Sequence, residues 1–463
     1  MTTPRHRIHG FPLFLRVVLF AGLALLYVAG AGEHARRVNT FKARGDQSGY
    51  LGDAERVYAN WHGHRPRFLI GERNRMPVYA GYLALFYHPS VSDDEYFVIA
   101  KTWNVRLSLV LLAVLCVIFS WYLPPVVSTN LTLIVAFGAF VYKAGYAQAD
   151  LLFYFTFFLT FLGCWHLLGP TTGRRAVSLA ALTGAAAGLA HLTKAAILPL
   201  VGGAVLVHAA RPVAGLVQRW RGKGTDASEI AWRAAATAAV VALFLAALWP
   251  YLATSKRVFG HYFYNVNSTF YVWYDDWPAA SVGTYSHGDG VGWPDMPVSD
   301  LPGPRRYWRE HTIGQIAARV GNGFEDMLVV SYRTYGFLPY LALYGGMLAV
   351  IAGTHRGTLR HLARANGWRV LFLVCYGLVY LVATAFYHPT SGTGTARFLL
   401  AHLMPLLFVL SRLFSNGEVR QLSWRLGGVP VTMGHFHLLV SATLALDIAF
   451  RLWPRLMTTY GGF

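Results

Sequence analysis

The chain has 463 residues, 55% of them hydrophobic and only 13% charged, where a soluble globular domain carries about 25% charged residues. That deficit excludes a water-soluble particle, and the apolar residues are gathered into runs long enough to cross a bilayer. A net charge of +19 would point to nucleic acid on a soluble chain; here the basic residues sit mostly in short loops between apolar runs, so membrane topology accounts for them and no nucleic-acid partner is expected.

The first apolar run, 11–31, follows Arg5 and Arg7 and is long enough to span. It is read as a retained span, although Ala29-Gly-Ala31 mimics a leader cleavage site. Further spans are predicted at about 104–123, 126–145, 150–168, 176–193, 195–210, 234–253, 336–353, 370–386, 398–414 and 435–453. The fold class is therefore an all-α polytopic membrane protein with about 11 transmembrane helices. Segment 77–88 is too short to cross and is read as an interfacial helix. No internal repeat supports a solenoid or an inverted-repeat transporter. Cys116, Cys164 and Cys375 fall inside apolar runs, with no disulfide or zinc spacing.

Orientation follows from the short loops. Arg174 and Arg175, then Arg211, Arg219, Arg221 and Lys223, then Arg356, Arg360 and Arg364, then Arg412, Arg420 and Arg425 belong on the cytoplasmic side. The N-terminus is then cytoplasmic, and two large extracytoplasmic loops, 32–103 and 254–335, face outward. The first is itself basic, with Arg36, Arg37, Lys42, Arg44, Arg65, Arg67, Arg73 and Arg75. Long loops translocate regardless of such charge, and this one is suited to meet an anion.

In chain order, the first polar candidates are Asp46, Asp53 and Glu55 in Gly45-Asp-Gln-Ser-Gly-Tyr-Leu-Gly-Asp-Ala-Glu55. Asp46 follows the first span closely, where an acid can take a proton from an acceptor hydroxyl while a donor stays in the lipid; a solvated loop carboxylate is the plainer alternative. Arg73 and Arg75 beside the interfacial helix offer forked donors to phosphate oxygens, or simply anchor to head groups. Asp150 opens the fourth span as a helix cap or a substrate contact. Gly184, Gly188, His191 and Ala195 form a small-residue face suited to close helix contact, and His191 and Lys194 are neighbours on it. Lys194 lies between two apolar runs with no acid within a turn. A lysine at bilayer depth costs about 2.5–3.5 kcal/mol, so it either snorkels or finds a partner such as a lipid phosphate.

The second outer loop is rich in rings, among them Tyr271, Trp273 and Trp277, which stack on sugars or form an interfacial belt. Trp293 is another of these rings, and the loop also carries Asn265, Asn267, Asp275, Asp276, His287 and Asp289, which read as a polar lid. The segment His388–Arg397 is flexible and hydroxyl-rich, and places Arg397 at head-group level. Asp447 and Arg451 are four apart and expected to pair.

Four of these places resemble the GT-C superfamily of membrane glycosyltransferases, and within it family 39-like enzymes such as protein O-mannosyltransferases and aminoarabinose transferases. They are Asp46-Gln-Ser-Gly-Tyr50, Ala149-Asp-Leu-Leu152, Gly188-Leu-Ala-His-Leu-Thr-Lys194 and Arg397-Phe-Leu-Leu-Ala-His-Leu-Met-Pro405. The resemblance implies a GT-C-like catalytic module over 1–414, with 415–463 as a cytoplasmic loop plus last helix. It implies Asp46 as catalytic base, Lys194 and Arg397 as cations holding a polyprenyl phosphate, and a lipid-linked sugar donor used on the outer face. Family members often carry two adjacent acids where this chain has Asp46-Gln47; Asp53 and Glu55 are the nearby substitutes. The acceptor is a lipid, glycan or protein hydroxyl. No metal or other cofactor is expected, and transfer proceeds in one inverting displacement. The rival expectation is a polytopic transporter or lipid flippase, with Lys194, Asp150 and Asp447 on its path; a third is a non-enzymatic partner in envelope assembly.

Overall fold

The computed structural model describes residues 13–63, 75–171, 173–222, 226–287 and 295–460. Arg65, Arg67, Arg73, Lys223, Asp289 and Trp293 lie outside the described residues. Apart from a hairpin of Ser423–Leu426 against Val429–Thr432, the secondary structure among the described residues is helical. Ten helices are long and apolar enough to cross a membrane, or eleven if one bent pair counts as a span.

The first crossing helix, α1, is Leu13–Arg37. Two short helices follow, α2 (Gln47–Trp61) and α3 (Pro77–Ala84). Pro77 sits at the first position of α3, where its missing N–H costs nothing. Helix α4, Asp93–Tyr122, starts well before the apolar run that predicts it. Ser92 and Glu95 form a capping box there, and three acids in the first turn favour the positive helix end. Lys101 on this early stretch donates to the carbonyls of Ala35 and Asn39 at 2.9 and 2.8 Å, satisfying the chain end of α1.

Next come α5 (Pro125–Ala144), which includes a π-helical turn over Ala136–Phe140, then α6 (Asp150–Leu167), α7 (Gly173–Thr193), α8 (Ala195–Trp220) and α9 (Ala227–Phe259). Helices α7 and α9 approach closely. A Cβ on Gly184 would lie 2.4 Å from the Val240 carbonyl oxygen, and one on Gly188 2.5 Å from the Ala247 Cβ. The small face read from the sequence is therefore a helix–helix contact.

The segment expected as outer loop 254–335 is largely helical. It holds the end of α9, then α10 (Pro304–Glu310) and α11 (Ile313–Thr334), which opens on a Thr312/Gln315 capping box. Helix α11 bends by 117° into α12 (Leu338–Thr354). It alternates apolar positions with Arg319, Glu325, Asp326 and Arg333, so it is too polar along its length to read as a span. The chain closes with α13 (Arg356–Ala365), α14 (Gly367–Ser391), α15 (Ala396–Phe414) and α16 (Met433–Thr458). Helix α16 is tied back to α5 and α1: Asn130 donates to the His437 carbonyl at 2.9 Å, and His34 meets the Leu456 carbonyl at 2.6 Å. Asp447 accepts from Tyr340 at 3.0 Å, with Arg451 at 3.9 Å.

The helices alternate in direction, so their junctions gather at two ends. One end carries α2, α3, α10 and the Asp46–Arg397 contact. The other carries the arginines of the short loops. There Arg211 donates to Leu167, Arg369 to Trp165 and Arg412 to Tyr122, each capping the carbonyl end of a neighbouring helix.

Candidate active site

Asp46 directly precedes α2, with its side chain 29% exposed. Its Oδ2 lies 2.7 Å from Nη1 of Arg397, in the first turn of α15. The Arg397 backbone is pinned by Tyr154 of α6, whose hydroxyl donates to its carbonyl at 2.6 Å. The Arg397 Nε is buried with no hydrogen-bond partner, so the guanidinium retains donor capacity.

Lys194 is an extended residue at the break between α7 and the 3-10 turn Ala195–Ile197. Its Nζ donates to Asp150 Oδ1 at 2.6 Å. The second oxygen of Asp150 lies 2.6 Å from Nζ of Lys143, which also donates to Gln148 at 2.8 Å. Asp150 is thus a buried counterion for two lysines from different helices. Phe398 lies under both cations, 4.6 Å from the Lys194 nitrogen and 5.7 Å from the Arg397 guanidinium carbon. Three cations and two carboxylates share this centre, leaving one positive charge in excess.

Arg75 flanks the centre. Its Nε donates to Asp53 at 3.1 Å, and its guanidinium lies over Gly49, where a Cβ would come within 2.2 Å of the guanidinium carbon. Tyr50 lies within reach of the Asp46, Asp150, Arg397 and Arg75 charges, its ring edge-on to Tyr79 at 5.2 Å.

The electrostatics follow from this crowding. Burial pushes the Asp46 carboxyl up, but the charges of Arg397 and Lys194 outweigh it and hold Asp46 below the usual carboxylate range. Burial lowers Lys194 to about 8; the Arg397 charge adds to this and Asp150 opposes it. Burial works against the charge of Arg75, yet Asp53 and then Asp46 keep its pKa raised. Burial, then the Asp46 and Asp150 charges, raise the Tyr50 phenol, which stays protonated.

Asp46, Lys194, Arg397, Asp150 and, alongside, Arg75 with Asp53 come together. Others point elsewhere. Glu55 faces the Asp93 and Lys42 charges. His191 is buried against the rings of Phe244, Tyr251 and Phe263 on the α9 side. Tyr271 packs with Trp277 and Tyr285, and Trp273 with Tyr307 and Phe386, as a separate aromatic layer. Lys143, Tyr154 and Phe398 were not singled out from sequence. Lys143 carried a usable signal, a lysine at the end of an apolar run, the same one that marks Lys194. Among the described residues no cluster of three metal-ligating side chains occurs.

Comparison with protein-family models, with curated proteins and with solved structures finds no match for this chain.

Proposed function

We propose that this protein is a glycosyltransferase that moves a sugar from a polyprenyl-phosphate donor to an acceptor hydroxyl on the extracytoplasmic face of a membrane. The observation that carries this reading is Asp46, partly exposed and 2.7 Å from Arg397, next to a cationic centre where helices meet at one end of a many-span bundle. The loose GT-C likeness of the same four segments agrees with it.

The chemistry needs two things. The leaving phosphate must have its charge stabilised, which preorganised cations do best away from water. Lys194 and Arg397 supply this, and the spare Arg397 Nε adds a donor. The acceptor hydroxyl must lose its proton as its oxygen attacks the anomeric carbon and the carbon–phosphate oxygen bond breaks. Asp46 takes that proton, and the polyprenyl phosphate leaves with the bonding pair. A carboxylate locked to an arginine is a weak base. A donor phosphate drawn to Arg397 and Lys194 offsets the charge that keeps Asp46 acidic, so donor binding strengthens the base where it is needed.

The test is Asp46→Asn in proteoliposomes supplied with labelled polyprenyl-phosphate sugars. Sugar transfer should fall about 10²–10⁴-fold, with elution and donor binding retained. Transfer at the wild-type rate removes Asp46 from the mechanism. Acceptor-independent movement of lipid across the vesicle would favour the carrier instead.

A further inference from the structure

A polar concavity opens at the same end of the bundle, a cleft of about 540 Å³ between α10, α11 and the end of α14. That volume lies in the range of small-molecule sites, about 300–1,000 Å³. Arg319, Asn322 and Asp326 come from one face of α11 at helical spacing. Gly323 lets that helix dock on α14, since a Cβ there would lie 2.2 Å from the Ala385 carbonyl oxygen. The opposite wall holds Asp275, Tyr307 and His311, with His388 at the end of α14.

The charge available to a ligand here is opposite to that at Asp46. Arg319 is buried and its guanidinium is committed: it donates to the Phe386 carbonyl at 2.8 Å, to the Tyr307 hydroxyl at 2.8 Å and to the Val272 carbonyl at 3.1 Å, and it pairs with Asp275 at 3.6 Å, which leaves Asp326 as the surplus negative charge. The Asp275 and Asp326 side chains are 66% and 64% exposed. Each faces a histidine, His311 at 3.0 Å and His388 at 3.5 Å. Tyr307 and His311 stack at 3.9 Å as a flat double ring. Exposed carboxylates, an amide and the His311 ring, held flat on the buried Tyr307, suit a ligand that offers many hydroxyls and an apolar C–H face, and the carboxylates repel anions.

The cleft is linked to the cationic centre through the end of α14. His388 lines the cleft and bonds to Thr395, just before the helix that carries Arg397. Its neighbour Tyr387 donates to Asn267 at 2.9 Å and lies within reach of the Arg397 and Asp46 charges.

We infer that this cleft binds a neutral, hydroxyl-rich carbohydrate, and that it holds the acceptor of the transfer reaction; the acceptor role, though not the binding, rests on the function proposed above. The cationic centre would then take the lipid phosphate and the anionic cleft the neutral glycan, so that opposite charges sort the two substrates.

The test uses the full chain in nanodiscs, free of sugar detergents, with equilibrium dialysis against maltotriose, mannotriose and arabinotriose, and against trigalacturonate as the anionic counterpart. At least one neutral trisaccharide should bind, and trigalacturonate about tenfold or more weakly. Asn322→Ala and Asp326→Ala, both exposed positions, should weaken the neutral probe about ten- to hundredfold. Arg364→Ala, exposed at the other end of the bundle, should bind it as wild type does. The inference is overturned if no neutral probe binds below about 10 mM, if trigalacturonate binds equally well, or if both cleft variants bind normally. If the probe binds as expected while Asp46→Asn still transfers sugar, the cleft stands as a carbohydrate site and the transferase reading falls.

Discussion

Lys194 and Lys143 share one carboxylate, Asp150, whose side chain is 2% exposed. Two buried ammonium groups on one acid are a costly arrangement, because desolvation of each charge is only partly repaid by a single counterion. The surplus charge is what an incoming phosphate would neutralise. This sets a pH dependence. Burial, reinforced by Arg397, brings Lys194 down to about 8, so its charge is complete well below that pH and fades as pH rises through it. A sugar phosphodiester keeps one fixed charge over this range. Donor affinity should therefore drop between about pH 7 and pH 9, and Lys194→Arg, which stays protonated, should flatten the drop. A wild-type affinity that does not change over that interval rules Lys194 out as a phosphate ligand. Asp46 contributes no such step, since its pKa is held below the usual carboxylate range.

Between helices, the α7–α9 contact positions Lys194 at the end of α7. Its closeness depends on glycine: the space beside Gly184 is filled by the Val240 backbone carbonyl, which cannot rotate away as a side chain could. Gly184→Val should force the pair apart and cost about 1–3 kcal/mol, read as a lower midpoint of thermal unfolding in detergent; an unchanged midpoint would show that α9 gives way freely. Helix α11 is the element that hydropathy conceals. Its Thr312-x-x-Gln315 start is a capping box and was a legible signal. The charges along it lower any windowed hydropathy, so the segment reads as loop. Conversely, the break at Lys194 is visible in the sequence as a polar residue between two apolar runs.

For the molecule as a whole, eleven crossings with the N-terminus inside would place the Asp46 end outside and the arginine-rich end in the cytoplasm. Cysteines introduced at Ser90 and Arg309, both exposed, should then react with an impermeant maleimide on intact cells. Cysteines at Arg364 and Arg425, also exposed, should react only after permeabilisation. The reverse pattern would put the site on the nucleotide-rich side and remove the need for a lipid-linked donor.

The candidate site was half legible for the same reason. Asp46, Lys194 and Arg397 each stand out alone, because a charge beside or within an apolar run is expensive wherever it goes. Which charge meets which was not legible. Asp46 finds Arg397 across 351 positions, and Lys194 finds Asp150 across 44; His191, three residues from Lys194, turns into the α9 packing instead. Crossing a bilayer is a property of about twenty contiguous residues transferred together into hydrocarbon, so composition and order alone determined that the chain carries ten or eleven candidate spans. An ion pair depends on ångström-scale separation between side chains of different helices. Only the packing of the bundle, set by small residues, bends and caps along its whole length, decided that two acids and three cations would meet at one end, and that a cleft of opposite charge would open beside them.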